Sequence, residues 1–455
     1  MSLAALIERI HNRRASISVI GLGYVGLPLA ITFAEAGFQV TGIDRDSTRV
    51  AAINRRESYI PDVNSERLAL VMQSRGEPLR AGPARVPPGL GRLSATVSYD
   101  ALAETDAAII CVPTPLSKTR DPDLSHILAA ADEIARRLHP DMLVVLESTT
   151  FPGATEELVL PRLRNANGQA FQEGRNFFLA FSPERIDPGN QDWDVKNTPK
   201  VIGGVTPCCL QAATSLYQCV VHQVVSVSSP RVAEMVKLLE NTFRATNIAL
   251  VNEFAIMCER LDVDVWEVIE AAKTKPFGYM PFYPGPGLGG HCLPVDPQYL
   301  AWKMRTLNYR ARFVQLAEEI NFGMPAYVLS KITDSLNDAG KALNGSTILV
   351  LGVAYKADVG DVRESPALDL IPHLQEKGAR VAYHDPYVPR LDVGRGTLES
   401  VSLTETALRG ADCVVIITAH RTYDWDWVVR NSRLIVDTRN ATARVAPAAT
   451  RVVKL

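Results

Sequence analysis

The sequence predicts an α/β protein in which two doubly wound domains are joined by a long helical region. Three observations support this fold class. Residues 16–44 read as strand, glycine-rich turn, helix and strand in succession. Strand and helix patterns alternate again, more weakly, in residues 346–437. Between them, residues 231–261 carry apolar side chains at intervals of three and four without glycine or proline, which indicates one long helix.

Length and composition set the domain number and exclude some partners. A chain of 455 residues is too long for one ordinary core, and we predict three segments, residues 1–204, 205–344 and 345–455. Hydrophobic residues make up 47% and charged residues 22%, as is usual for globular proteins. The formal net charge of −2 creates no strong field, so we expect neither nucleic acid nor a membrane as a partner.

The cysteine pattern indicates the compartment. Seven cysteines without a Cys-x-x-Cys pair argue against a disulfide framework and against a zinc site, so we expect no metal. Residues 1–16 have the spacing of a short helix and lack the basic-then-apolar order of a signal peptide. No apolar run is long enough for a bilayer. These features predict a soluble cytoplasmic protein.

The glycine-rich turn has the spacing of a dinucleotide-binding fingerprint, in its full strand–turn–helix–strand context. Gly21 permits the tight turn, Gly23 lets the backbone approach a pyrophosphate, and Gly26 allows helix and strand to pack closely. The alternative is a glycine-rich turn that binds nothing. The surrounding pattern favours a Rossmann-like nucleotide site.

Asp44 ends the second strand of this pattern and indicates which dinucleotide is bound. A carboxylate at that position accepts hydrogen bonds from ribose hydroxyls and repels a 2′-phosphate, which favours NAD. Arg45 and Arg49 lie beside it and could accept a phosphate, so NADP is the alternative.

Further predicted strands end in polar residues, and ligands of open α/β sheets lie beyond such strand ends. Thr114, Thr149 and the Glu184–Arg185 pair each follow one of these strands. The threonines could bind a cofactor or a water, or simply start turns. The alternative for the acid and the guanidinium is a solvated surface pair.

Lys237, Asn241 and Arg244 are spaced by four and three along the predicted long helix, so they share one face. Such a polar stripe is usually solvated. The flanking positions are so apolar that we predict burial on several sides, and a buried lysine needs a functional reason.

Residues 285–296, GPGLGGHCLPVD, place one thiol in a tight, glycine-rich turn. Such a position presents Cys292 to a ligand, whereas a structural cysteine belongs in an apolar helix or strand. A thiol becomes a useful nucleophile when a nearby base or cation favours the thiolate. His291 and Lys237 are the candidate neighbours.

The second α/β pattern has no glycine fingerprint in its first strand-to-helix turn. It carries Tyr355, Lys356 and then residues 361–365, DVRES. A basic turn at this position suits an anionic ligand such as a nucleotide diphosphate.

Together these segments resemble the nucleotide-sugar 6-dehydrogenases, the UDP-glucose/GDP-mannose dehydrogenase family, over nearly the whole chain. The motifs VIGLGYVGLPLA, CVPTP, FSPER, KLLENTFRATNIALVNE, PGPGLGGHCLPVDP and GVAYKADVGDVRESPAL occur in the family's order. KPFGYMPFYPGPGLGGHCLPVDP and FSPERIDPGN look closest to the UDP-N-acetylhexosamine dehydrogenases, which serve polysaccharide synthesis. The expected substrate is UDP-GlcNAc, with UDP-glucose, UDP-GalNAc and UDP-ManNAc as alternatives.

The resemblance implies a four-electron oxidation of the sugar C6 alcohol to a carboxylate, through a thiohemiacetal and a thioester on Cys292. Lys237 would stabilise the oxyanion, which fits the strength of a fixed charge in a dry site. His291 would be structural or orienting. The remaining implied catalytic residues are Asn241 and Asp296, which would hold or activate water, and Glu184 and Thr149, which would assist proton transfer and water positioning.

The resemblance also assigns the binding residues and the segments. Residues 1–204 would bind NAD, residues 205–344 would be central and dimer-forming, and residues 345–455 would bind the UDP-sugar, so that a homodimer or larger homo-oligomer is implied. NAD would contact Gly21, Gly23, Tyr24, Val25, Gly26, Asp44, Arg49, Thr114, Thr149 and Arg363. The UDP-sugar would contact Arg185, Lys237, Asn241, Arg244, Gly289 and Lys356.

One segment departs from the family's glucose-specific members. Residues 147–153, ESTTFPG, stand where those members have a Lys-Ser-Thr-Val-Pro type of sequence. The threonine role therefore falls on Thr149 or on Thr150.

Two other classes of protein remain as alternatives. A two-electron dehydrogenase of the 3-hydroxyacid or 6-phosphogluconate type would need neither Cys292 in its glycine-rich loop nor a second α/β domain. A non-enzymatic NAD-sensing module would not need Lys237, Cys292 and Asp296 together.

Overall fold

The computed structural model describes residues 2–60, 63–72, 90–117, 120–168, 170–187, 190, 192–394, 396–446 and 449–455. It divides into two compact units, Met1–Glu240 and Asn241–Leu455. The division falls inside a single helix, α8, which spans Pro230–Arg260 and matches the predicted long helix to within one residue at each end. The predicted three-segment division stays a prediction.

The first unit is built on an eight-stranded sheet with the order β3-β2-β1-β4-β5-β6-β7-β8. All neighbouring strands are parallel except β6 and β7. The strands are β1 Ser16–Ile20, β2 Gln39–Ile43, β3 Arg92–Thr96, β4 Ala107–Ile110, β5 Met142–Leu146, β6 Phe177–Phe181, β7 Lys200–Gly204 and β8 Val224–Val227. The order of its first six strands is that of a dinucleotide-binding domain.

Helices cover both faces of this sheet, which explains why its central strands are continuous apolar runs. β4 (AAII), β5 (MLVVL) and β6 (FFLAF) are buried at every position, as parallel strands with two covered faces are. The helices are α1 Leu3–His11, α2 Gly26–Glu35, α3 Ser47–Asn54, α4 Ser65–Met72, α5 Ser125–Arg137, α6 Leu160–Arg164 and α7 Pro207–Tyr217, and a π-helical turn, Thr155–Val159, precedes α6.

The second unit has a five-stranded parallel sheet with the order β10-β9-β13-β14-β15 and a separate antiparallel hairpin, β11–β12. The strands are β9 Thr347–Leu351, β10 Arg380–His384, β11 Arg390–Val393, β12 Gly396–Glu399, β13 Cys413–Ile416, β14 Leu434–Asp437 and β15 Arg451–Lys454. The helices of this unit, besides the second part of α8, are α9 Val265–Ala272, α10 Asp296–Thr306, α11 Arg312–Asp338, α12 Ala367–Glu376, α13 Glu405–Gly410 and α14 Trp425–Asn431. The order is again doubly wound, so the predicted fold class is confirmed.

The two sheets use the same device at their first strand-to-helix turn. In the first unit, the Asp44 carboxylate at the end of β2 accepts hydrogen bonds from the backbone N–H groups of Leu22 (2.8 Å) and Asp46 (2.9 Å). In the second, Asp385 at the end of β10 accepts them from Val353 (2.7 Å) and Tyr387 (2.8 Å). The two segments whose strand and helix patterns resemble each other in the sequence therefore also share this hydrogen-bonding arrangement.

Asp385 differs from Asp44 in one respect: a buried histidine also binds it. His420 Nε2 donates to the Asp385 carboxylate at 3.0 Å, and His420 Nδ1 accepts from the backbone N–H of Asp358 at 2.9 Å. His420 is fully buried. Burial raises the pKa of Asp385, but the hydrogen bonds from His420 and Val353 outweigh it and leave that pKa below its usual range.

Among the described residues, none of the helices combines the length and the apolar character that a bilayer crossing requires.

We expect Asp385→Ala to lower the free energy of unfolding of the second unit by roughly 2–4 kcal/mol, because several buried donors lose their acceptor. Asp392→Ala, in the exposed β11–β12 hairpin, is the matched control and should change it by less than about 0.5 kcal/mol. Urea unfolding followed by tryptophan fluorescence measures both. Equal midpoints for the two variants would show that Asp385 does not hold the turn.

Candidate active site

The glycine-rich turn of the first unit fits a dinucleotide pyrophosphate. A Cβ atom at Gly21, where φ is +92°, would lie 2.6 Å from the carbonyl oxygen of Cys111, and one at Gly26 would lie 1.8 Å from that of Gly21. A Cβ at Gly23 would meet no described atom within 4 Å. Gly21 and Gly26 are therefore fixed by packing, whereas Gly23 faces open space at the start of α2, where helix N–H groups favour an anion.

Asp44 lies at the position that the sequence analysis assigned to ribose recognition, and its carboxylate is buried. Arg49 Nη1 lies 3.5 Å from Asp44 Oδ2 and its guanidinium lies 5.9 Å from the centre of the Tyr59 ring. The Tyr59 hydroxyl donates to the carbonyl oxygen of Leu22. Asp44 neutralises the arginine, which disfavours the alternative in which Arg49 accepts a 2′-phosphate.

The carboxyl ends of β5 and β6 carry a buried cluster of charges. Lys200 Nζ lies 2.8 Å from Glu147 Oε2 and 3.4 Å from Glu184 Oε2. Glu184 Oε1 accepts from the backbone N–H groups of Arg185 (2.7 Å) and Ile186 (2.6 Å). Of these groups, only Glu184 and Arg185 were predicted from the sequence to have a role.

Strand direction explains how Lys200 reaches Glu184. β7 runs antiparallel to β6, and Phe181 pairs with Gly203. Continuing that register by three residues places Glu184 opposite Lys200. The first residue of β7, and not its last, therefore lies at the edge where the carboxyl ends of β5 and β6 meet.

The predicted threonine pair divides between two environments. Thr149 is half-buried, whereas Thr150 is 1% exposed and its hydroxyl has no hydrogen-bond partner among the described residues. The loop that carries both is fixed to α8 by Glu234, whose carboxylate accepts from the backbone N–H groups of Gly153 (2.5 Å) and Thr155 (2.9 Å). The structure leaves either threonine available for the role that the sequence analysis described.

Arg185 and Lys237 occupy different environments in the first unit. Arg185 forms an ion pair with Glu240 at 2.6 Å and donates to the carbonyl oxygen of Pro199 at 2.7 Å. Lys237 is 7% exposed, so its predicted burial is confirmed. It is close enough to lower the pKa of Glu184.

In the second unit, two buried amides anchor the start of the loop that leads to Cys292. Asn252 Oδ1 accepts from the backbone N–H of Gly285 (2.9 Å), and Asn252 Nδ2 donates to Asn321 Oδ1 (2.9 Å). Asn321 Nδ2 donates to the carbonyl oxygen of Ala245 at 3.1 Å. The loop is thereby tied to α8 and α11 by residues that no motif identified.

The middle of the loop packs on the first turn of the second sheet. A Cβ at Gly289 would lie 2.8 Å from Tyr355 Cβ, and Gly290 donates its backbone N–H to the carbonyl oxygen of Arg363 at 3.0 Å. Only glycine permits so close an approach. The loop thus brings Cys292 next to the turn that carries Lys356 and Arg363, whose guanidinium forms an ion pair with Asp361 at 2.6 Å.

Cys292 lies one turn before α10, which begins at Asp296. The carbonyl oxygen of Cys292 accepts from the Asp296 backbone N–H at 2.8 Å, which fixes the backbone of Cys292 at the start of this helix. The Asp296 side chain is 1% exposed and accepts from Asn241 Nδ2 at 2.5 Å. The predicted pair of Asn241 and Asp296 is therefore in direct contact.

Arg439 is a candidate ligand-binding residue that the sequence analysis missed. It follows β14, and a Cβ at Gly285 would lie 2.4 Å from its Nη1 atom. Its Nε donates to the carbonyl oxygen of Ile417 at 2.8 Å. Burial lowers its pKa, and Asp437 opposes that shift. The sequence signal that could have identified Arg439 is its position as a basic residue shortly after the predicted strand that ends at Asp437.

Lys237 belongs to the first unit and Cys292 to the second, so their predicted proximity stays a prediction.

The predicted site residues differ in how far they are exposed to solvent. The buried predicted residues are Gly26, Asp44, Thr114, Glu184, Lys237 and Asp296; the exposed ones are Arg49, Arg244 and Arg363; the half-buried ones are Gly21, Gly23, Tyr24, Val25, Thr149, Arg185, Asn241, Gly289, His291, Cys292 and Lys356.

Comparison with known families matches three segments of the chain. Residues 15–221 match the NAD binding domain of the UDP-glucose/GDP-mannose dehydrogenase family, residues 231–322 its central domain, and residues 349–444 its UDP binding domain.

Individual relatives match over most of their length. The chain is 36% identical to the UDP-N-acetyl-D-mannosamine dehydrogenase of Pyrococcus horikoshii, over 93% of this chain and 95% of the relative. It is 34% identical to the UDP-N-acetyl-D-glucosamine 6-dehydrogenase of Pseudomonas aeruginosa, over 89% and 90%. A solved UDP-D-ManNAc dehydrogenase structure from Pyrococcus horikoshii superposes with a TM-score of 0.83, covering 96% of this chain and 98% of that one at 34% identity.

Substitutions at Gly23 and at Gly26 should have different effects, the first on NAD binding and the second on folding. We expect Gly23→Ala to keep the wild-type melting temperature and to bind NAD roughly tenfold or more weakly, because its methyl group stands where the pyrophosphate approaches. Gly26→Ala, the comparison variant, should fold poorly because its Cβ would overlap a backbone oxygen. Thermal melting and isothermal titration with NAD test this. NAD binding of wild-type strength by Gly23→Ala would contradict the assignment.

Proposed function

Because the chain belongs to the UDP-glucose/GDP-mannose dehydrogenase family and is an NAD-dependent UDP-sugar dehydrogenase, we propose that it oxidises C6 of UDP-GlcNAc to the uronic acid. Its family and its relatives make the protein a nucleotide-sugar 6-dehydrogenase of the UDP-hexosamine type. The choice of sugar and the residue roles are the proposal.

One observation carries the proposed chemistry: the loop before Cys292 packs through Gly289 and Gly290 onto the turn that carries Lys356. A thiol is thereby held beside the segment that matches a UDP binding domain. Lys356 and Arg439 would neutralise the diphosphate, and the glycines leave room for the sugar.

The reaction needs a hydride acceptor and a nucleophile. The turn at Gly23 and the Asp44 carboxylate would hold NAD, and two NAD molecules bound in turn would supply the hydride acceptor, one for each oxidation. After the first, the Cys292 thiolate adds to the C6 aldehyde. After the second, the sugar is bound as a thioester, which water hydrolyses to release the thiolate and the carboxylate.

The neighbouring residues act on charge and on water. Lys237 stabilises the oxyanion at C6, because a fixed charge in a dry site acts strongly on developing negative charge. Asn241 and Asp296 orient the water through their mutual hydrogen bond. Glu184 accepts the proton that the water loses.

Two features support a hexosamine over glucose. The segment beginning at Glu147 departs from the Lys-Ser-Thr-Val-Pro type of glucose-specific members. Both relatives described above are named for an N-acetylhexosamine. UDP-ManNAc, UDP-GalNAc and UDP-glucose are the competing substrates, since C2 and C4 discrimination depends on a few paired polar groups.

We also propose that the protein is a homodimer formed through α8. Phe243, Leu250 and Phe254 are 48%, 50% and 46% exposed, and their spacing of seven and four places them on one face of the helix. Large exposed apolar patches mark protein interfaces. Further exposed apolar residues of the same unit are Met257 on α8, Leu261 directly after α8, and Phe313, Leu316 and Phe322 on α11.

The proposed reaction predicts two NADH per sugar consumed, measured by running NAD with UDP-GlcNAc, UDP-ManNAc, UDP-GalNAc and UDP-glucose separately to completion. UDP-GlcNAc should give the highest kcat/KM. A single NADH per sugar would mean an aldehyde or ketone product and would rule out the thioester route. Cys292→Ala is the control: it should bind NAD as the wild type does and form no acid, because no nucleophile retains the aldehyde.

The proposed dimer predicts that Leu250→Glu with Phe254→Glu halves the mass measured by size-exclusion chromatography with light scattering, because two charges on each chain would be buried in the interface. Val401→Glu, at an exposed apolar position away from the helix, should leave the mass unchanged. A wild-type protein with the mass of one chain would refute the dimer.

A further inference from the structure

The buried charge cluster at the ends of β5 and β6 contains groups to which the reaction above assigns no part. Lys200, Glu147 and Tyr217 are 6%, 1% and 0% exposed, respectively. Lys200 Nζ lies between two carboxylates, 2.8 Å from Glu147 and 3.4 Å from Glu184. The Tyr217 hydroxyl donates to the other oxygen of Glu147. A buried ion cluster costs more desolvation than an apolar core would, which favours a functional role for it.

The geometry makes the two carboxylates competitors for a single ammonium group. Glu147 has Lys200 and one hydroxyl as its described donors, whereas Glu184 has Lys200 at the longer distance and two backbone N–H groups. Charge removed from either partner of Lys200 must therefore change how strongly the ammonium stabilises the other partner.

The pKa shifts of the two acids agree with this arrangement. Burial raises the pKa of Glu147, and Lys200 only partly opposes it. Burial also raises the pKa of Glu184, but Lys200, the backbone N–H of Ile186 and Lys237 outweigh it, so that the pKa of Glu184 is lowered. Two neighbouring carboxyls whose pKa values are pushed apart are typical of acid–base sites.

We propose that Lys200 is a positioning residue that holds Glu184 ionised as the proton acceptor of the thioester hydrolysis, and that Glu147 limits this effect by sharing the same ammonium group. The inference rests on the proposed function, since it needs Glu184 to act as a base. Lys200 touches neither sugar nor cofactor in this account and acts only through Glu184.

Other charged or titratable groups of the first unit also face this cluster. Lys237 on α8 acts on Glu184, and the Cys111 thiol, which follows β4, lies close to Lys200. Burial and the charge of Glu147 raise the pKa of Cys111 well above its usual value, so this thiol stays neutral over the range of the experiment. Burial likewise raises the pKa of Tyr217, which remains a hydrogen-bond donor. The Arg185 guanidinium is engaged by Glu240.

The test compares two substitutions that remove opposite charges from the same cluster. Lys200→Met keeps an unbranched apolar side chain and removes the positive charge. Because Glu184 then protonates more readily, the acid limb of the kcat–pH profile should move to higher pH. Glu147→Gln removes the competing anion, so the limb should move to lower pH. The glutamine can still form a hydrogen bond with Tyr217, because the Tyr217 hydroxyl can donate to the amide oxygen or accept from the amide nitrogen. Each shift should be about one pH unit, equivalent to a tenfold change in rate below the limb.

A second readout follows the intermediate directly. Acid quenching and intact-mass spectrometry should show Lys200→Met carrying more sugar on Cys292 than the wild type at low pH, because hydrolysis then lacks its base. Lys200→Arg keeps the positive charge and should retain most of the wild-type limb. Lys331→Met is the matched control, because it removes a similarly buried ammonium group that pairs with Glu259 and not with the cluster. This variant should leave the acid limb of the kcat–pH profile in place.

Limbs that do not move, or that move in the same direction in both cluster variants, would overturn the positioning role. Loss of fold alone cannot produce shifts of opposite sign. Absence of NADH formation by the wild type with every UDP-sugar would instead refute the proposed function, and this outcome is distinct from unmoved limbs in an active enzyme.

Discussion

Both sheets depend on a buried carboxylate that binds the backbone of the first strand-to-helix turn. Asp44 and Asp385 each stand at the end of the second strand and accept N–H groups from the turn after the first. Without these acceptors, buried N–H groups would lose their partners at a cost of about 1–3 kcal/mol each. The glycine turn proposed to hold NAD and the basic turn that supports the Cys292 loop rest on the same hydrogen-bonding pattern.

The rest of the candidate site is organised by close approaches that only glycine allows and by buried amides. Gly289 and Gly290 permit the loop to lie against Tyr355, and Asn252 fixes the loop's first residue. The consequence is a thiol whose backbone is held at both ends while its side chain remains half-buried. For the nucleophile proposed above, this anchoring means that little conformational entropy is lost when the thiol reaches its target.

Much of this could be predicted from the sequence because the relevant signals are local. Strand alternation, the fingerprint at Gly21 and the uninterrupted helix gave the fold class and α8 to within one residue at each end. Lys200 could not be found in the same way. It opens an apolar strand, and its contact with Glu184 depends on the antiparallel pairing of β7, which no local pattern reveals. Asn252 and Arg439 were missed for a related reason, since a polar residue inside a helix or after a strand acquires meaning only from the loop it contacts.

The hydrogen bond between His420 and Asp385 has a consequence for which positions of the second sheet tolerate mutation. The Asp385 carboxylate is engaged by the buried His420 ring and by the backbone of the turn. A substitution of either member of this pair therefore acts first on the stability of the turn. The more exposed side chains of the same turn can vary while the buried pair is retained, so that this part of the surface can change its chemistry without a loss of fold.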